Sequence, residues 1–200
     1  MASLTAFIER RLRLKVNQDK SAVACPEDRH FLGFRLRVDA RTGTVEVLLS
    51  ERSKRNAMQK VRELTPRTWG STLIACIVQA NAWLRGWYGF FGIVSPSEMQ
   101  ALRKIDSHLR RRLRAIQLRH WRRKRTIARE LIKLGVKRDS VWRQIYAGRK
   151  SWWALSHTHA VDQGLRNAYF AKRGLISLVD WHRASQHVVV PEPPQLALWG

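Results

Sequence analysis

Acidic residues are scarce in this chain of 200: 15 Asp and Glu stand against 38 Lys and Arg, a formal charge of +23. Self-repulsion on that scale disfavours a compact state unless a polyanion neutralises it. The expected partner is therefore nucleic acid, with an anionic membrane surface second. Cysteine is nearly missing too. Cys25 and Cys76 cannot make a four-thiolate zinc site or a disulfide framework, and both read as buried or inert thiols in a reducing compartment. No apolar run approaches the roughly 20 residues that span a bilayer. The opening MASLTAFIERRLRLKV lacks the long apolar stretch and small-residue cleavage site of a secretory signal. These features set the expected location as cytoplasmic, in a bacterial cell or an organelle matrix, with no membrane partner.

Catalytic signatures are equally sparse. Metal-dependent phosphoryl chemistry needs convergent carboxylates, yet no Asp-Asp occurs, and Glu27-Asp28 lies beside Pro26 where turn chemistry explains it. No phosphate-cradling glycine loop is present; the glycines of GWYGFFG (86–92) close a Trp-rich helix. His157 and His159 lack acidic or thiol companions and read as solvent-facing or RNA-contacting. No serine elbow appears. The expectation is no catalytic residue, no metal site and no cofactor of the chain's own.

What is abundant is arginine, and it is concentrated. Residues 101–150 carry 18 basic and 3 acidic groups, +15 of the total +23. Within this block Leu102, Ile105, Leu109, Leu113 and Ile116 recur at helical spacing, which makes an ordered amphipathic helix rather than a disordered tail. Ser97, after Pro96, is a plausible N-cap. Arg103, Lys104, Arg110, Arg111, Arg112 and Arg114 fall off the apolar stripe. Arg119, Trp121, Arg122, Arg123, Lys124 and Arg125 follow it. With so few acids nearby, an external anion is the natural counterion, and this surface is the expected nucleic-acid contact, which the family resemblance below makes RNA. Lys137, Arg138, Arg149 and Lys150 flank later helix ends and rank second. Of the nine tryptophans, Trp83, Trp87 and Trp142 lie in apolar stripes and are expected in the core. Trp121 and Trp152 or Trp153 are the candidates for base stacking.

The coarse organisation is mainly α with a small N-terminal β-hairpin. A short helix over 4–12 and a short strand at 14–16 come first. Leu32, Phe34, Leu36 and Val38 alternate with polar residues, as do Val45, Val47 and Leu49, and a Gly-containing turn joins them. Helices are predicted over 51–64 (stopping at Pro66), from a Ser71 cap through 91, and up to Gly135. Later ones open at Asp139 or Ser140, closing at Gly148, and at Thr158, closing at Gly174. Residues 174–181 are an apolar element of unassigned type, and 188–200 are Pro-rich. The expected division is 1–50, 51–118, 119–185 and a tail over 186–200.

The order of several strings resembles group II intron-encoded reverse transcriptase/maturases over roughly residues 4–183. They are LKVNQDKSAV (14–23), HFLGF (30–34) and RELTPRTWGSTLIACIVQANAWLRGWYGFF (62–91). The basic helix, Trp152-Trp153, Asn167-Ala168-Tyr169-Phe170 and Gly174-Leu175 follow. The resemblance implies the end of a palm over 1–50, thumb or maturase-specific helices over 51–118 and a domain X over 119–185. It implies that Lys20 matches a palm lysine and that Phe31, Leu32 and Gly33 match a primer-grip hairpin. The family's Tyr-Ala-Asp-Asp motif is not among these residues, so Mg²⁺ is expected only if a catalytic palm on another chain completes the unit. The implied role is non-catalytic: binding group II intron RNA and helping it fold and splice. Alternatives are the C-terminal part of a split or truncated RNA-directed DNA polymerase, with a fingers/palm chain as partner, or a degraded mobile-element remnant. Duplex DNA recognition ranks lower, since no helix-turn-helix is delineated.

Overall fold

The computed structural model describes residues 2–17, 25, 27, 29–66, 68–148 and 151–186. Ten helices and one three-stranded antiparallel sheet occur among them, so the mainly α reading with a small N-terminal β element holds. Helix α1 (Ala2–Arg11) buries no residue. Residues 14–16 form no strand, a correction: their apolar alternation finds no neighbouring strand to pair with.

The sheet contains β1 (His30–Phe31), β2 (Phe34–Val38) and β3 (Val45–Leu49). The β2–β3 hairpin has the predicted register, with Phe34 opposite Leu49 and Val38 opposite Val45. Strand β1 was not expected. It arises because Leu32 (φ 49°) and Gly33 (φ 88°) both take positive φ, the demand of the tightest two-residue hairpin turn. Phe34 faces Phe90 and Phe91 with ring centroids 5.5 and 5.2 Å away. Beyond that contact Leu36, Val38 and Val45 on the same sheet face stay exposed.

Helix α2 (Glu51–Leu64) has the predicted limits, opened by Ser50, whose hydroxyl accepts from the Ser53 N–H at 3.1 Å. Helix α3 (Leu73–Phe91) is capped by Thr72 rather than Ser71. A 3₁₀ turn (Pro96–Glu98) then leads into α4 (Met99–Trp121), so Ser97 is not its cap. All five predicted stripe residues of α4 are buried, each burial contributing on the order of 1.5–3 kcal/mol.

Shorter helices complete the chain: α5 (Lys124–Lys133), α6 (Arg138–Ile145), α7 (Trp152–Leu155), α8 (His159–Gly164), α9 (Asn167–Ala171) and α10 (Leu178–Gln186). The single helix expected over 158–174 is broken between α8 and α9, where Leu165 leaves helical geometry. One hydrophobic core runs from Ala57 to Val179, and α4 passes through its middle, touching α2, α3, α5, α7 and α10. Helix α4 also crosses the expected 118/119 division.

Two buried polar residues tie the last segment to the bundle. Asp106 of α4 accepts from Ser177 Oγ (2.9 Å) and from the Leu178 and Val179 N–H groups (3.2 and 3.3 Å). It caps α10 from a distance in sequence, serving donors that a helix start leaves open. Burial lifts its carboxyl above the ordinary range, although these donors and Arg110 pull the other way. Asn81 of α3 bridges the Gly174 carbonyl (2.6 Å) and the Ile176 N–H (3.1 Å). Of the two thiols, Cys76 is buried and pushed up to about 11 by that burial, whereas Cys25 is exposed.

Candidate nucleic-acid interface

The basic block divides into two populations that the sequence did not separate. The first supports the interior. Arg112 Nε donates to Thr65 Oγ1 at 2.6 Å and to the Thr65 carbonyl, at the C-terminal end of α2. Arg114 is buried; its Nε donates to the Leu165 carbonyl at 2.9 Å and its guanidinium pairs with Asp162 at 2.6 Å. Burial pulls its pKa down, against the attraction of Asp162. Both arginines thus meet open carbonyls at helix ends, where the helix dipole also favours a cation. Arg114 is thereby removed from the expected RNA surface, because it is buried and engaged by Asp162 and the Leu165 carbonyl. Arg110 is half-buried and lies 3.7 Å from Asp106. Arg103, Lys104 and Arg111 are exposed on α4.

The second population begins where α4 ends. Arg122 has φ 57° and ψ −65°, and the Arg123 N–H donates to the Trp121 carbonyl at 2.7 Å. This is a three-residue turn of the rare, strained hand. It reverses the chain within one residue and starts α5 at Lys124. Arg122, Arg123 and Arg125 are exposed, and among the described residues no acid or carbonyl accepts from any of their guanidiniums. Lys124 is different: its Nζ donates to the Gly148 carbonyl at 2.6 Å and lies 5.9 Å over the Tyr146 ring. It therefore fastens the start of α5 to the end of α6.

From this junction a groove of about 740 Å³ runs between α5 and α6. Arg123, Arg125, Arg129, Lys133 and Arg138 line it, with Ala128 and Ile132 beneath. Arg129 and Lys133 share Glu130, each at 3.3 Å; such exposed pairs contribute little. At one end Trp142 stacks on Tyr146, with centroids 4.5 Å apart and planes 18° from parallel. Trp142 is 44% exposed, a correction to its expected core place. Lys137 is exposed beside the groove.

The other expected contacts are spread out. Trp121 packs against the core. Trp152, Trp153 and Arg119 line a small cavity of about 110 Å³ beside Arg112. Trp153 meets His157 edge-on at 4.6 Å. Phe31 and Leu32 stand exposed at the hairpin tip, while the Gly33 carbonyl accepts from Ser53 Oγ and the Ser50 N–H. Lys20, Arg149 and Lys150 lie outside the described residues. Among the described residues no group of three or more His, Cys, Asp or Glu is placed to hold a metal ion. None of their helices is long and apolar enough to cross a membrane.

Residues 54–134 match the family described as group II intron, maturase-specific domain. Over that stretch the chain is similar to a maturase-specific domain. The stretch extends from within α2 to the end of α5 and so contains the whole of α4 and the strained turn at Arg122. The match supports the C-terminal part of a group II intron maturase and a maturase role in intron splicing. Group II intron RNA is the partner that such a domain implies. No curated protein matches the chain.

Proposed function

We propose that the chain binds group II intron RNA directly and promotes its folding for splicing, using the cationic surface from the α4–α5 turn along α5 and α6. It contributes no polymerase chemistry of its own. The observation that carries this reading is the set of exposed guanidiniums, Arg122, Arg123, Arg125 and Arg138, that have no acceptor among the described residues. Structured RNA is held through backbone phosphates, 2′-hydroxyls and unstacked bases, and planar guanidiniums suit all three. Arg103, Lys104 and Arg111 on α4 extend the surface.

The test is affinity for a group II intron transcript across a salt series, with wild type and an Arg122/Arg123/Arg125/Arg138→Ala variant. Loss of about four phosphate contacts should flatten the log–log salt slope by roughly 2.8 to 3.6, at about 0.7–0.9 per phosphate. Helicity should not change. An unaltered slope in the variant, or no wild-type affinity at low salt, overturns the reading.

A second reading, in which a fingers/palm chain completes a reverse transcriptase, has its own observation. Apolar side chains stay exposed on the sheet (Leu36, Val38, Val45), and Phe90, which meets Phe34 from the end of α3, and Ile93 just beyond that helix are exposed as well. Such a patch is a normal mark of a protein interface. Templated DNA synthesis on mixing with a palm-bearing chain would favour it.

A further inference from the structure

The groove between α5 and α6 differs from the rest of the basic surface in carrying an exposed stacked aromatic pair. Phosphate attraction alone requires no aromatic residue, and a ring placed for packing alone belongs in the core. Helix α6 separates the two uses cleanly. Val141 and Ile145 are fully buried, while Trp142 and Tyr146, each one residue further on, turn outward together. Tyr146 is braced by Trp142 and by Lys124, itself anchored on the Gly148 carbonyl. The pair is thus held in place before any ligand arrives. Arg123, Arg125 and Arg138 line the same groove as the aromatic pair, which puts cationic groups and an aromatic face on one surface. Helix α6 lies outside the matched residues 54–134, so the domain match assigns it no role.

We infer that Trp142, braced by Tyr146, is a stacking platform for a single unpaired RNA base, such as a bulged or splayed-out nucleotide, whose flanking phosphates are held by Arg123, Arg125 and Arg138. The inference rests on the RNA-binding reading and adds to it a preference for unpaired over paired nucleotides. Every base has a π face, so the platform discriminates by structure and not by sequence. A base in an intact helix is already stacked on its neighbours and has no face to offer.

Two probes test this with the full chain: a perfect RNA duplex, and the same duplex carrying one unpaired 2-aminopurine ribonucleotide, whose fluorescence falls on stacking. Wild type should bind the bulged probe about tenfold more tightly and quench it. Trp142→Leu keeps apolar bulk without the aromatic face. It should lose both the preference and the quench while retaining duplex affinity and salt slope. Trp142→Phe should restore part of each. Equal wild-type affinity for the two probes, or a quench that survives in Trp142→Leu, overturns the platform and leaves RNA binding standing. So does a loss of duplex and bulge affinity in equal measure by a Trp142→Leu protein of unchanged helicity. If wild type binds neither probe nor the intron transcript at low salt, the RNA-binding reading fails and the platform with it.

Discussion

Arg112 on α4 closes the end of α2 through Thr65. Its guanidinium donates to both the carbonyl and the hydroxyl of Thr65, and that hydroxyl in turn donates to the Val61 carbonyl. One side chain thereby serves the last turn of a neighbouring helix, where carbonyls have no partner of their own. Arg112→Ala should lower stability by about 1.5–3 kcal/mol, the usual range for charged hydrogen bonds. Arg112→Lys should recover little, because an ammonium cannot reproduce the planar fork. Urea unfolding measures both. A loss of RNA affinity without a loss of stability would return Arg112 to the binding surface.

This separation of supporting from available arginines marks the limit of what the sequence discloses. The stripe Leu102 to Ile116 was legible because one helical period explains it, as were α2 and the β2–β3 hairpin. Which flanking arginines remain free was not legible, since that depends on how many helices surround α4. Leu165 illustrates the same limit: its carbonyl turns out of the helix to meet Arg114, a tertiary contact without a local signal. Trp142 was misread for a local reason. Positions 141, 142, 145 and 146 contain two i,i+4 pairs, one buried and one exposed, and apolar character alone does not distinguish them.

Gly33 is fixed by both conformation and space. Its φ is 88°, and a Cβ there would lie 2.5 Å from Ser53 Oγ and 3.1 Å from the Phe91 ring. Gly33→Ala should cost about 1–3 kcal/mol and loosen β1 from β2, read as faster amide exchange across the hairpin. Leu32, exposed and also at positive φ, should behave oppositely. Leu32→Asn should leave stability unchanged or raise it, as asparagine tolerates that region. A neutral Gly33→Ala would show that the turn relaxes freely.

Arg122 combines a strained backbone with an exposed cation, so substitutions there separate the two. Arg122→Gly should keep stability within about 1 kcal/mol, since glycine adopts positive φ without steric cost. Arg122→Val should cost about 1–2 kcal/mol more than Arg122→Gly, since a Cβ-branched residue resists that region. Both variants should reduce the RNA salt slope by about 0.7–0.9, one phosphate each. Equal stabilities of the Gly and Val variants would show that the turn carries no strain.

His108 makes folding depend on pH. It sits on α4 with Nε2 buried and without a partner among the described residues, edge-on to Trp153 at 6.4 Å. Burial, and then Arg112, Arg62 and Arg111, push its pKa down to about 4, against about 6.5 in an unfolded chain. Between those values the unfolded state binds the proton first, so acid draws the equilibrium toward unfolding. The stabilising effect of the neutral ring is complete above about pH 6.5 and is lost as pH falls toward 4, with a limiting slope of about 1.4 kcal/mol per pH unit. His182, also lowered by burial, adds a slope of the same sign. Urea midpoints measured from pH 7.5 down to 4.5 should therefore fall less steeply in His108→Gln than in wild type. They should be flattest in the double variant with His182→Gln. Parallel curves for wild type and His108→Gln would mean that the ring takes up its proton in the folded chain as readily as in the unfolded one.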